Sequence, residues 1–554
     1  MGSAIHYFGD MSEHLDQVIL VLPIAVACLA AYLLLVSRGS GKVATVPPSL
    51  SDPIPFVFNT LQYIFDNATF TKRVRKALQT SRVIRYRFGL KPVYVVSGQQ
   101  NIQTIFSSRE LSYEELFVRQ AFSKFWKMSS EEVKRFADDQ SGLGRTPPRG
   151  VMLPSGQRYW EPRHRIHNDF LNRPQSVRPV IDAFAKQFSA ELDAYPLGEW
   201  NTLSVVDFCR QTVTKTAIGA LFGPNMLELN PNIVDAFWEF DAVFMKLIFG
   251  LPSWIDPRPF RAHDRYLSMI KKQLDVALEN FDWNAPEPEW DPYFGARICR
   301  ELVKWLRDAG FRGEALSGAM GALLFAQNSN SIPAATWIIM ELAKDAQLLQ
   351  EVREEVATAY VTTVSELGDV RTLDTNKLVK LPLLQSVFAE ILRLRMNLYI
   401  VRNLKSSMIL DGFEIPKGSI LQASTVVAHY DEDVWGDPQH PAANFWAERH
   451  IVHSISKDEV DESCGRRVFE MAEDLGNFFP FGGGSPMCPG RNFAKAEIFT
   501  MVALMLDRFD IEFVRWAKLD GTWSERPAEN DVRYSSAGVA PPDRDMIIRW
   551  KRKW

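Results

Sequence analysis

Cysteine is scarce in this chain. Five residues, Cys28, Cys209, Cys299, Cys464 and Cys488, are scattered over 554 positions. They are too few and too dispersed for a disulfide framework, and they fit a reducing compartment. The body has no polybasic run and the formal net charge is −4, which argues against nucleic acid as a partner. Internal repeats are missing, so a solenoid or propeller is excluded. Disorder is excluded too, because 46% hydrophobic and 23% charged residues make an ordinary globular balance. A long apolar run occurs at Val18 to Val36, VILVLPIAVACLAAYLLLV. That is long enough to cross a bilayer core, which takes about 20 residues. Glu13 and Asp16 precede it and Arg38 and Lys42 follow, so the positive side, and the body behind it, should face the cytosol. A cleaved signal peptide is the alternative, against which stand the length of the run and its acidic flank. The proline-spaced segment Val46 to Pro55 then prevents helix from continuing out of the membrane.

The rest of the chain is organised around Phe481-Gly-Gly-Gly-Ser-Pro-Met-Cys488-Pro-Gly490, directly followed by a helical segment, Arg491 to Arg508. Glycines let a backbone approach a flat cofactor and take positive φ. A helix N-terminus beside a sulfur favours the thiolate. A thiolate presented this way can be the axial ligand of a haem iron. The spacing of Phe481, Gly484, Cys488, Gly490 and Ala494 resembles the haem-binding signature of the cytochrome P450 family. One position departs: Pro486 stands where the family usually has Arg or His contacting a haem propionate.

Glu314 to Lys344 reads as the longest helix. In most members of the family this helix crosses over the haem and carries an acid-Thr pair that supplies protons. Here Gln327, Asn328, Ser329 and Asn330 follow Ala326, so both the acid and the Thr are gone. The pattern Ala326-x-x-x-Asn330-x-Ile-Pro333-Ala instead resembles the branch of sterol 7α- and 12α-hydroxylases and prostacyclin synthase, as also seen in fungal biosynthetic members. Pro333 has no N–H for the Ser329 carbonyl, so a kink is expected there, with Asn330 placed to hold oxygen or water. Asn330 and Ser329 are the candidate catalytic residues.

Glu390-Ile-Leu-Arg393 puts an acid and a base on one helix face. Asn444 to Arg449 resembles the family's Phe-x-Pro-Glu-Arg segment, with Ala447 in the Pro place. The resemblance implies a buried network of Glu390, Arg393 and Arg449 behind the cysteine loop. In Gly156-Gln-Arg-Tyr159-Trp160-Glu-Pro-Arg163-His164, Arg163 falls in the place of a propionate-binding Arg; shifting the frame by one would put His164 there. Arg402 sits where a strand Arg of the family reaches a propionate, and could compensate for Pro486. His453 to Asn477 is charged and irregular, and reads as a solvated insertion.

The resemblance runs through nearly the whole chain. It implies a mainly α fold with small β-sheets (α+β), preceded by one transmembrane helix: residues 1–46 as anchor and hinge start, 47–554 as one haem-thiolate catalytic domain. Haem b (iron protoporphyrin IX) would be held by Cys488, Phe481, Gly484, Gly490, Arg163 and Arg402. The expected activity is monooxygenation of a lipophilic small molecule, such as a terpenoid, steroid or other natural-product intermediate. NADPH would act only indirectly, through an NADPH-cytochrome P450 reductase. Membrane lipid is a further partner, and the endoplasmic reticulum membrane the expected location, single-pass, with a cytosolic catalytic domain. A second function stays open: an isomerase or dehydratase of peroxides or endoperoxides that needs no redox partner.

Overall fold

The computed structural model describes residues 46–554 apart from 115–116, 149, 153–155, 251, 285–286, 364–369, 455–465, 472–475 and 536–537. The anchor run Val18 to Val36 lies outside the described residues. Among those described, no helix is long and apolar enough to cross a membrane.

Helices make up most of the body. Those that matter for the site are α1 (Gln99–Ser107), α2 (Trp160–Leu171), α3 (Thr214–Phe222), α4 (Ile233–Asp241), α5 (Arg258–Asn280), α6 (Glu314–Lys344), α7 (Pro382–Arg395) and α8 (Arg491–Arg508). The strands are few and short. The main sheet holds β1 (Val83–Phe88), β2 (Lys91–Val96), β3 (Leu111–Ser112), β5 (Tyr399–Leu404) and β6 (Ile420–Ser424) in the order β1-β2-β6-β5-β3. β1 and β2 form an antiparallel hairpin, Val83 opposite Val96, turning through Gly89 at φ 55°. β6 adds to β2 in parallel, Ile420 beside Val93, and pairs antiparallel with β5, Tyr399 opposite Ser424. A smaller pair joins β4 (Met396–Asn397) to β7 (Gly538–Val539), which brings the end of the chain back to the end of α7.

α6 runs through the middle of the body and is apolar nearly all round, as a helix enclosed by others must be. It continues through Pro333 as one helix. The proline has no N–H to give, so the expected weakening is confined to the local bond and does not end the element. Asp345 stops α6 and starts the next helix, its carboxylate accepting from the amides of Gln347 (3.1 Å) and Leu348 (3.0 Å). α7 begins with Pro382 in its first turn. The Glu355 carboxylate accepts from the free amides of Leu383 (2.8 Å) and Leu384 (2.9 Å) there, where the helix dipole favours an anion.

The segment His453 to Asn477 is not wholly irregular. Ile451–Ser454 and Arg466–Phe469 pair as an antiparallel ribbon, Ile451 opposite Phe469. Alternation in such short, polar strands is too weak to read as a strand signal.

Candidate active site

The cysteine loop is held by its own backbone. The Gly482 amide donates to the Phe479 carbonyl (3.0 Å), the Met487 amide to Gly484 (3.1 Å), and the Cys488 amide to Phe481 (3.0 Å). Gly484 has φ 71°, and a Cβ there would lie 2.2 Å from the Phe106 carbonyl oxygen of α1, so only glycine fits. Gly490 ends the loop and precedes α8, whose first turn closes with the Ala494 amide on the Gly490 carbonyl (2.8 Å). Cys488 is exposed by surface area. Enough protein still surrounds the sulfur for burial to push its thiol up, against the Gly490 amide and the Arg491 charge, which favour the thiolate. Burial outweighs both. A bound metal ion would reverse the balance, since a coordinating thiol is deprotonated outright.

Behind the loop lies a fully buried ion network. Arg393 clamps Glu390 with two bonds, Nε to Oε2 (2.8 Å) and Nη2 to Oε1 (2.7 Å), and both side chains are 0% exposed. Arg449 Nε donates to Glu390 Oε1 as well (3.0 Å), and Arg449 Nη1 donates to the Trp435 carbonyl. Burial alone would raise the Glu390 carboxyl. The Arg393 bonds, His450 and the Arg449 charge together hold it down at about 2. Arg393 also donates to the His429 carbonyl (2.6 Å), and the His429 ring accepts the Phe479 amide at Nε2 (3.1 Å). Burial and the Arg393 charge push His429 down to about 3, so the ring is neutral and its Nε2 lone pair is available. A continuous chain thus runs from Glu390 through Arg393 and His429 to Phe479, at the start of the cysteine loop. His429 escapes the sequence reading because its partners are backbone groups.

Arg163 on α2 and Arg402 on β5 converge on one residue, Tyr113, whose phenol both charges influence. The Arg402 guanidinium lies 5.9 Å from the Tyr113 ring centre, and that of Arg163 5.1 Å from the Trp126 ring. Burial pulls both guanidiniums below their usual value, with Tyr113 opposing. His164, in the shifted frame, bonds the Asn168 carboxamide instead (2.8 Å). Trp160 is buried and donates to the Phe136 carbonyl (2.9 Å). Both arginine elements adjoin the cysteine segment. Ile400 of β5 would lie 3.6 Å from a Cβ at Gly482, and Asn492 of α8 donates to Asn172, at the end of α2 (2.8 Å).

On the distal side, Asn330 is tied down. Its Oδ1 accepts the Val539 amide of β7 (2.8 Å), and its Nδ2 lies 3.5 Å from the Ser329 hydroxyl. Gly538 is at φ 134°, and a Cβ there would come 2.1 Å from Asn330 Oδ1. The asparagine oxygen therefore serves the chain terminus, which leaves the Nδ2 amide and the Ser329 hydroxyl as groups that could meet a ligand. Around this point the ring of Phe325 packs on Phe244 (4.3 Å between centres), Phe125 (5.4 Å) and Phe240 (5.7 Å).

The donor set fits an iron porphyrin with carboxylate arms. It offers a cysteine sulfur with a glycine amide behind it, a loop kept thin by glycine, and two half-buried guanidiniums that stay charged at any ordinary pH. Loop, ion network and long central helix together define a class, and the chain belongs to it: the Cytochrome P450 family model matches residues 47–519. The chain is 38% identical to the cytochrome P450 monooxygenase calL of Penicillium decumbens, over 99% of this chain and 100% of that one. It is 28% identical to the cytochrome P450 monooxygenase fsoE of Humicola fuscoatra, covering 92% and 88%. Rat cytochrome P450 7A1 is 26% identical over 64% of this chain and 67% of its own. The fold matches that of retinoic acid-bound cyanobacterial CYP120A1, with TM-score 0.64, 17% identity, and 92% and 100% coverage. The chain is thus an enzyme, a cytochrome P450 monooxygenase.

Proposed function

We propose that the chain is a haem-thiolate enzyme of natural-product biosynthesis that hydroxylates or epoxidises a lipophilic intermediate, such as a terpenoid or steroid. Dioxygen would be the oxidant, with electrons from NADPH delivered by a membrane reductase. Residues 47–554 form the catalytic domain. Residues 1–46 anchor it in the endoplasmic reticulum membrane through Val18 to Val36, with the body in the cytosol. The observation that carries the reading is Cys488, presented from a glycine loop whose backbone is bonded through His429 to the Glu390 network. The relatives' names, monooxygenases of fungi, support it.

Cys488 would hold the iron, its sulfur steadied by the Gly490 amide, and Arg163 and Arg402 would hold the two carboxylates of haem b. When bound, the haem supplies dioxygen activation. The chain's own residues do the rest. The rings of Phe125, Phe240, Phe244 and Phe325 give an apolar substrate a wall that excludes water. Ser329 Oγ and Asn330 Nδ2 offer the donors on the distal helix, with Asn330 fixed through Val539.

Cys488→Ser should abolish the red-shifted Soret band of the ferrous carbon monoxide adduct; survival of that band would remove the central assignment. The missing acid on the distal helix favours keeping one other reading, a haem-thiolate isomerase or dehydratase of peroxides. Turnover of a lipophile panel with and without NADPH and reductase separates the two.

A further inference from the structure

α6 is enclosed by other elements, yet one line of it keeps accessible surface. Ala322, Phe325, Ser329 and Asn330 are half-buried and Ala326 is exposed, while the residues between them, except at this line, are buried. A spacing of three and four residues marks a single helix face. An open face on an enclosed helix looks onto an interior hollow. Its Asn330 end is the candidate catalytic pair. From Ala322 to Asn330 is eight residues, a rise of about 12 Å.

Asp241, the last residue of α4, stands at the Ala322 end. Phe240 beside it stacks on Tyr266 of α5 (5.0 Å between ring centres), whose hydroxyl donates to the Gly321 carbonyl (2.7 Å). Asp241 shares a helix face with Phe237, and Phe237 and Phe240 both pack toward Phe325 on the apolar wall. Protein surrounds the Asp241 carboxyl closely enough for burial to push it up to about 7, with the Arg210 charge opposing, yet the residue keeps accessible surface. The two observations agree when the carboxyl looks into the hollow and not out to bulk water. The guanidinium of Arg210, just before α3, and the phenol of Tyr534, in the turn before β7, stand within electrostatic reach of it. Among the described residues none of these three side chains meets another polar group in a hydrogen bond or ion pair. Arg533, the other cation near Tyr534, is spent on Asp531, Nη2 to Oδ2 at 2.6 Å.

The combination selects one kind of ligand group. A carboxylate would be drawn to Arg210 and repelled by Asp241, and an ammonium the reverse. An ether or ketone accepts but cannot donate, which leaves the Asp241 oxygens unserved. A hydroxyl does both: it donates to an Asp241 oxygen and accepts from the Tyr534 phenol or the Arg210 guanidinium. We propose that Asp241, Arg210 and Tyr534 are a specificity site for a substrate hydroxyl, so that the enzyme takes an elongated lipophile with an alcohol at one end and oxidises it about 12 Å away. The inference rests on the monooxygenase reading and names its substrate class. Held at one end, a long apolar body lies along the phenylalanine wall and presents only its remote carbons to Ser329 and Asn330.

The test titrates haem-loaded protein with dodecane, 1-dodecanol, 1-methoxydodecane and dodecanoate, following the Soret shift. 1-Dodecanol should bind roughly tenfold more tightly than its methyl ether, the worth of one hydrogen bond to a charged group. Asp241→Leu should erase that preference with haem content and the carbon monoxide band intact. Asp241→Asn, which keeps an acceptor oxygen, should restore most of it, and Tyr534→Phe should lower it about threefold. Turnover adds a readout that a merely structural role would not move. The wild type should oxidise 1-dodecanol in the half of the chain remote from the alcohol, and Asp241→Leu should scatter the position. Equal binding of alcohol and ether by the wild type, tighter binding of dodecanoate, or no Soret shift with any of these probes would overturn the proposal. An unchanged preference in both Asp241→Leu and Tyr534→Phe would overturn it too. Oxidation of 1-dodecanol without NADPH and reductase would overturn the monooxygenase reading instead, recognisably, because the binding preference would stand.

Discussion

The two sides of the cysteine helix are wired differently. On the proximal side the three charged groups are all engaged, Glu390 taking bonds from Arg393, Arg449 and the Trp446 amide, and only the ring atoms His429 Nδ1 and His450 Nε2 beside them keep no partner. On the distal side Asn328, Glu497 and Thr500 each keep an atom without a partner. A saturated network has one arrangement and rigidifies its surroundings. An unsaturated one has groups left over for water. The difference separates scaffold from chemistry: the proximal side fixes the position of the sulfur, and the distal side keeps polar capacity in reserve.

The sharpest way to break this contrast is to unsaturate the proximal side. Glu390→Ala or Arg393→Ala leaves a buried charge unpaired, worth roughly 3–5 kcal/mol, and should give little folded, haem-loaded protein. Normal haem content in either variant would show that the network does not hold the loop. A smaller effect is expected from His429→Leu, which strands the Phe479 amide. One unmet buried donor costs about 1–3 kcal/mol. Folded protein should survive, with a weakened thiolate Soret band as the readout of a loosened loop.

Asn330→Leu should cost less in stability, about 1 kcal/mol, because the amide it frees at Val539 is only part-buried. Its main readout is coupling: NADPH use continues while peroxide replaces product. Asn330→Thr, which puts a hydroxyl in place of the amide, should be milder, and unchanged product in Asn330→Leu would remove Asn330 from the mechanism.

The smallest effect is on acidification. His429 is held at about 3, below its ordinary 6.5, so the folded state binds fewer protons than the unfolded one between those values. Its contribution is present above pH 6.5 and lost as pH falls toward 3. Each unit lost is about 1.4 kcal/mol, so over a chain of this length the melting temperature should drift down by about 1 °C between pH 6.5 and 5.5. In His429→Gln that drift should shrink; His167 and His263, both lowered to about 4 by burial, keep the rest.

The legible parts of the site are those written in local spacing. The glycines before Cys488 and the i, i+3 pair Glu390 and Arg393 each lie within one turn or loop, where geometry follows directly from sequence. Arg163 could be read only to within one residue, because Tyr159 and Trp160 are adjacent aromatics and each frame satisfies only half of the pattern. The Asn330 contact with Val539 spans 209 positions, so no local pattern announces it. Pro333, read as a point of weakness, does not end the helix, which runs on to Lys344. Glu497 and Lys495 are the two charged residues in Phe493 to Phe499, and no local spacing shows that the acid meets Gln327, 170 positions away.

The clasp between Asn330 and Val539 also sets a timetable. A ribosome emits about 5–20 residues per second, so the 209 positions between them take roughly 10–40 s. During that interval the Glu390 network and then the cysteine loop are synthesised, Cys488 only 51 positions before Val539, while the Asn330 oxygen still lacks its partner. The proximal half is thus complete in sequence only roughly 3–10 s before the clasp can close, and the final stretch of translation decides when the site closes.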